Sequence, residues 1–117
     1  MRVGWIGLGA MGAPMAEVII AGGHDVVAFD VDAGRVSELA SRGATPAGSC
    51  AEAAQGAQVL LLMVATPAQA QAALFGPEGA AAAMSPGSVV MVMSTIGLAA
   101  VEALGSRLGE LGIGLVD

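Results

Sequence analysis

Short apolar runs alternate with stretches of helical spacing along the whole chain. Residues 2–6 are apolar on both faces after Arg2 and stop at Gly7, the pattern of a buried strand. Residues 11–21 have helical spacing, with Met11, Met15, Val18 and Ile19 on one side and expected to face inward. Pro14 is expected in the first turn, where its missing N–H costs nothing, and Gly22-Gly23 ends the helix. A second strand is predicted over residues 25–30. Asp32 then caps a helix with Val36, Leu39 and Ala40 inward, and Gly43 stops it. Residues 44–46 suit a stub of strand. Ser49 opens a short helix to about residue 55, with Glu52 as its capping-box partner.

Residues 58–63 are apolar on both faces, as in a central parallel strand. Thr66-Pro67 opens a helix to residue 75, residues 76–79 form a turn, and residues 80–84 a short helix. A strand over 88–93, a helix over 97–112 and a last strand over 113–116 complete the pattern. Strands alternate with helices throughout, which predicts a parallel sheet with right-handed crossovers.

The length, 117 residues, fits one domain, residues 1–117. Apolar residues are 56% and charged residues 12%, so the chain has ample material for a core and is not a disordered segment. No apolar run reaches the roughly 18–20 residues of a spanning helix, and no membrane association is expected. Nor does the N-terminus resemble a signal peptide. Ten carboxylates against four arginines and no lysine give a net charge of −6, so nucleic acid is not expected as a partner. The single cysteine, Cys50, cannot form a disulfide within the chain, which suits a cytoplasmic location. Cys50 itself reads as a small buried residue. His24, after Gly22-Gly23, reads as a surface position. No side chains have metal-ligand spacing, so no metal is expected.

Gly7-Leu8-Gly9-Ala10-Met11-Gly12 is G-x-G-x-x-G, placed after a buried strand and at the start of a helix. Gly7 suits a tight turn, Gly9 lets backbone approach a pyrophosphate, and Gly12 lets the helix sit close to the strand. The free N–H groups around Ala10 and Met11, with the helix dipole, would face the phosphates. Asp30 ends the second strand where a dinucleotide fold has an acid for the adenosine ribose hydroxyls. A carboxylate there repels a 2′-phosphate, and Val31-Asp32 follow rather than an arginine, so NAD is favoured over NADP. The pattern is that of an α/β fold of the Rossmann type, a doubly wound parallel sheet with helices on both faces. The same glycines also suit a ligand-free turn, and Asp30 a solvated strand end. Met63, Val64, Ala65 and Thr66, with Ser94 and Thr95, end the fourth and fifth strands and are expected at the same crevice. Thr66 and Ser94 are equally suited to capping helices.

Residues 7–16, Gly7-Leu8-Gly9-Ala10-Met11-Gly12-Ala13-Pro14-Met15-Ala16, resemble the opening fingerprint of the β-hydroxyacid dehydrogenases. Leu74-Phe75-Gly76-Pro77-Glu78-Gly79, Pro86-Gly87-Ser88-Val89-Val90 and Met93-Ser94-Thr95 extend the resemblance across the chain. Among members it is somewhat nearer to those similar to L-threonate dehydrogenase than to 3-hydroxyisobutyrate or tartronate semialdehyde enzymes. The resemblance implies that Ala10 and Met11 hold the pyrophosphate and Asp30 the ribose. It further implies that residues 63–66 line the cofactor and that Thr95 lies at the nicotinamide end. It implies NAD-dependent oxidation of a small 3-hydroxy acid by the complete enzyme, and a homo-oligomer.

Two departures stand out. Where many members have Leu-Pro-Asn, this chain has Val64-Ala65-Thr66. The family's Asp-Ala-Pro-Val-Ser-Gly segment is matched only by Asp117, and the family's catalytic lysine would lie further on. No catalytic residue is therefore assigned within residues 1–117, and the chain alone is expected to bind without turnover. The alternatives are a non-enzymatic NAD(H)-binding module and an NADPH-dependent protein similar to imine reductases.

Overall fold

A computed structural model describes residues 1–117, the side chain of Ala10 excepted. Six strands, β1 (Arg2–Ile6), β2 (Asp25–Phe29), β3 (Thr45–Pro46), β4 (Val59–Leu62), β5 (Val89–Val92) and β6 (Gly114–Val116), form one parallel sheet. Its order is β3-β2-β1-β4-β5-β6. The chain thus winds outward from β1 to one edge, crosses back, and winds outward from β4 to the other, which is the doubly wound arrangement.

Five helices cover the sheet: α1 (Gly9–Ala21), α2 (Ala33–Ala40), α3 (Cys50–Ala54), α4 (Pro67–Phe75) and α5 (Leu98–Glu110). One face carries a core of Val3, Trp5, Val26, Ala28 and Leu61 with Ala16, Val36 and Leu39 from α1 and α2. The other carries Ile6, Val27, Leu60, Leu62, Val90 and Val92 with residues of α3, α4 and α5. The inner strands β1, β2, β4 and β5 supply both cores by alternation, which is why their sequences are apolar on both faces.

Helix starts follow local chemistry. The Asp32 carboxylate accepts from Gly34 N–H at 2.9 Å, and Ser49 Oγ accepts from Glu52 N–H at 3.1 Å. Glu52 returns its bond to Gly48 N–H at 3.2 Å rather than to the Ser49 amide of the expected capping box. Residues 80–84 are reduced to a single tight turn, Ala81–Ala83.

Helix α1 corrects two expectations. It starts at Gly9, two residues early, so Pro14 lies inside the helix rather than in its first turn. Met11 and Val18 are 71% and 72% exposed, not inward. The reason is close packing: the helix rests on the sheet through Gly12 and Ala16, both buried. A Cβ on Gly12 would come within 2.9 Å of the Gly7 oxygen and 3.5 Å of Trp5 Nε1. With its axis held that near, the contact face is too narrow to include positions 11 and 18. Ala40, also expected inward, is half-buried beside the buried Val36 and Leu39.

Candidate functional site

The register brings the site together. Ile6 pairs with Phe29 on one side and Leu62 on the other, so Gly7, Asp30 and Met63 leave the sheet at one level. Backbone bonds continue that level past the strand ends, from Gly7 N–H to Phe29 O at 3.0 Å and from Met63 N–H to Ile6 O at 2.8 Å. This is the carboxyl edge of the sheet at the reversal of winding, where ligands bind in open α/β sheets. A cleft of about 480 Å³ opens there.

The three glycines of the loop have separate roles. Gly7 has φ +90°, and a Cβ would overlap the Met63 carbonyl oxygen, so no other residue fits the turn. Gly9 has φ +50° and nothing within 4 Å of where a Cβ would lie, so its bare backbone faces open space at the cleft wall. Gly12 sets the approach of α1 to the sheet. Leu8 contributes backbone rather than side chain, since its side chain is buried and its N–H donates to Asp30 Oδ2 at 2.7 Å. The second carboxylate oxygen accepts from Asp32 N–H at 2.8 Å. Asp30 is thereby fixed at the cleft wall by two backbone donors, with the remaining lone pairs available to hydroxyl groups.

Met63, Val64 and Ala65 line the cleft beside Gly7, Leu8, Gly9 and Asp30. Met11, Gly12, Thr66 and Thr95 do not line it. Met11 follows in the first turn of α1, together with residue 10. Thr66 caps α4: its Oγ1 accepts from Gln69 N–H at 3.1 Å. Thr95 is exposed beyond β5. Ser94 caps nothing, because the capping position of α5 is Gly97. His24 is exposed at the opposite edge of the sheet, as expected.

Several lining residues were not singled out from the sequence. Phe29, Val31, Ala72 and Ala73 add apolar wall, and Val31 is 96% exposed. Arg35 lies at the cleft with its Nε 3.7 Å from Asp32 Oδ2, one helical turn beyond the acid. The period of α2 could have suggested it. Cys50 is half-buried at the wall rather than in the core, and burial chiefly, with the nearby Glu78 charge, pushes its thiol pKa up. Gln69 also lines the cleft. No sequence signal marked Cys50 or Gln69 for the cleft, because its α3 and α4 walls form only when the crossovers pack.

A nicotinamide dinucleotide fits this wall in its chemistry: a Cβ-free backbone at a helix N-terminus suits a pyrophosphate, and a pinned carboxylate suits a ribose.

Comparison with known proteins agrees. Residues 2–117 match the family model described as the NAD binding domain of 6-phosphogluconate dehydrogenase. L-threonate dehydrogenase of Cupriavidus necator is 40% identical over 116 residues, which are 99% of this chain and 39% of that protein. The crystal structure of 3-hydroxyisobutyrate dehydrogenase from Salmonella typhimurium superposes with a TM-score of 0.92 at 33% identity, over 98% of this chain and 40% of that one. A structure of Psf3 in complex with NADP+ and 2-OPP superposes with a TM-score of 0.89 at 26% identity, over 97% of this chain and 40% of that one. The chain spans about two-fifths of the length of these relatives. The chain therefore belongs to the family of NAD-binding domains of 6-phosphogluconate dehydrogenase and the β-hydroxyacid dehydrogenases.

Proposed function

We propose that the cleft binds NAD(H) in preference to NADP(H), and that this domain serves an oxidoreductase that oxidises a small 3-hydroxy acid of the 3-hydroxyisobutyrate, threonate or tartronate semialdehyde type. The observation that carries the reading is the Asp30 carboxylate, held by the Leu8 and Asp32 amides beside the bare backbone of Gly9. In this reading the turn from Gly7 to Gly12 holds the pyrophosphate, with donors at residues 10 and 11. Asp30 accepts from the ribose hydroxyls, and a 2′-phosphate in their place would meet its charge. Met63, Val64 and Ala65, with Thr66 after them, form the flank that keeps water from the cofactor, and Thr95 lies toward the nicotinamide end. The bound nicotinamide supplies hydride transfer; the chain's own residues orient it.

In this reading the lysine that manages the hydroxyl proton is supplied by another part of the complete enzyme, since residues 1–117 contain no lysine. The complete protein is read as a cytoplasmic homo-oligomer acting on a small-molecule substrate. Titration with NADH and NADPH tests the cofactor reading. Micromolar to submillimolar binding of NADH, and weaker binding of NADPH, is expected; silence with both overturns it.

A second reading has one observation in its favour. Arg35 lies at the cleft within reach of the Asp32 carboxylate, and a guanidinium there suits a 2′-phosphate. Tighter binding of NADPH than of NADH would favour it, together with a function similar to that of the imine reductases. A protein that only senses NAD(H) would bind the cofactor yet show no dehydrogenase activity even at full length.

A further inference from the structure

We propose that Gln69 orients the adenosine half of the cofactor: its side-chain oxygen clamps the loop after β4, and its NH2 group is the donor the cleft offers to the base. The proposal rests on the dinucleotide reading of the cleft. Polar side chains at the cleft are few, namely Asp30, Arg35, Cys50 and Gln69. An ionised Asp30 only accepts, Arg35 is exposed and directed to Asp32, and a thiol donates weakly. Gln69 is the neutral polar side chain with two good donors.

Its orientation is fixed by the loop. Gln69 Oε1 accepts from Ala65 N–H at 2.8 Å and from Thr66 N–H at 3.2 Å. Its own backbone N–H donates to Thr66 Oγ1 at 3.1 Å. Reversing the carboxamide would set its NH2 against two N–H donors, so the chemistry allows one orientation. With the oxygen committed, both NH2 hydrogens remain for an outside acceptor. Purine ring nitrogens are such acceptors. Phe29 and Val31 at the end of β2, and Ala72 and Ala73 on α4, give the same cleft apolar surface for the faces of a planar base. The clamp also stands in the Val64-Ala65-Thr66 loop, where many relatives are expected to have Leu-Pro-Asn. Here the loop is held by a side chain from the following helix.

Two substitutions separate clamp from donor. Gln69→Ala removes both, whereas Gln69→Glu keeps acceptor oxygens for Ala65 and Thr66 and removes the donor. The chain and both variants are titrated by calorimetry with NADH and with ADP-ribose, at about 300 mM salt to screen the added charge. Both variants are expected to lose about fivefold or more in affinity for both ligands, with the melting temperature of Gln69→Glu unchanged. Wild-type affinity in Gln69→Glu with a loss only in Gln69→Ala makes Gln69 a loop clamp and overturns the proposal. Unchanged affinity in both variants, or a loss for NADH without one for ADP-ribose, overturns it as well. If the unsubstituted chain binds neither ligand, the cofactor reading itself falls, and this inference with it.

Discussion

At the scale of single residues, the first two glycines of one motif should fail in different ways. Gly7→Ala forces φ +90° on a residue with a Cβ and drives that Cβ into the Met63 carbonyl. A loss of at least about 2 kcal/mol in urea unfolding is expected. Gly9→Ala meets nothing within 4 Å, so its fold should lose only about 1–2 kcal/mol. Its methyl group enters the space read as the phosphate site, and NADH binding should drop by an order of magnitude or more, about 1.4 kcal/mol per decade. Equal loss of stability in the two variants would show that Gly9 also holds the turn. Asp30→Ala leaves the part-buried Leu8 N–H without its 2.7 Å acceptor, at a cost of about 1–3 kcal/mol, besides removing the ribose contact.

Cys50 gives a prediction with a definite pH sign. Burial raises its pKa above the ordinary value of 9.0, so the folded chain holds the thiol proton more tightly than the unfolded chain. That preference leaves stability whole below the unfolded pKa and erodes it as pH rises from there through the folded value. At neutral pH the thiol is protonated and should react with iodoacetamide more slowly than in the urea-unfolded chain, gaining rate only in alkali. Rapid alkylation of the folded chain at neutral pH would contradict the burial argument.

At the scale of elements, the helix starts explain why so much of the order was legible. Asp32, Ser49 and Thr66 each precede a helix by one position and each accepts a backbone N–H from its first turn. Such bonds are local, so the residue type announces them. Ser49→Ala should cost about 1 kcal/mol, read from the denaturation midpoint. Pro14 falls inside the helix because α1 begins at Gly9, two residues ahead of the apolar spacing that marks it in the sequence. The proline is exposed inside the helix and has no N–H for the carbonyl one turn back. Pro14→Ala should therefore stabilise the fold by about 1–3 kcal/mol. An unmoved midpoint would mean the neighbouring backbone already compensates.

At the scale of the whole molecule, α1 and α2 serve one face of the sheet, and α3, α4 and α5 the other. The α1 face therefore has no helix of this chain dedicated to β5 and β6, and Met93 and Val116 remain exposed near its rim, as do Met11 and Val18 on α1. Apolar surface of this kind favours association. Sedimentation should show a weight-average mass that climbs with concentration; a monomer throughout would count against the oligomer reading. No helix among the described residues is long and apolar enough to cross a membrane.

The strand and helix order, the parallel sheet and the glycine turn with its acid were settled by the sequence alone, because periodicity, caps and turn glycines act over a few residues. The burial of individual positions on α1, the placement of Cys50 and Gln69 at the cleft, and the Leu8 amide that pins Asp30 from the end of β1 were decided only by tertiary structure. These depend on how closely α1 lies on the sheet, through Gly12 and Ala16, and on which helix turns the crossovers bring to the carboxyl edge. Such distances belong to contacts between segments far apart in the chain, and no local pattern encodes them.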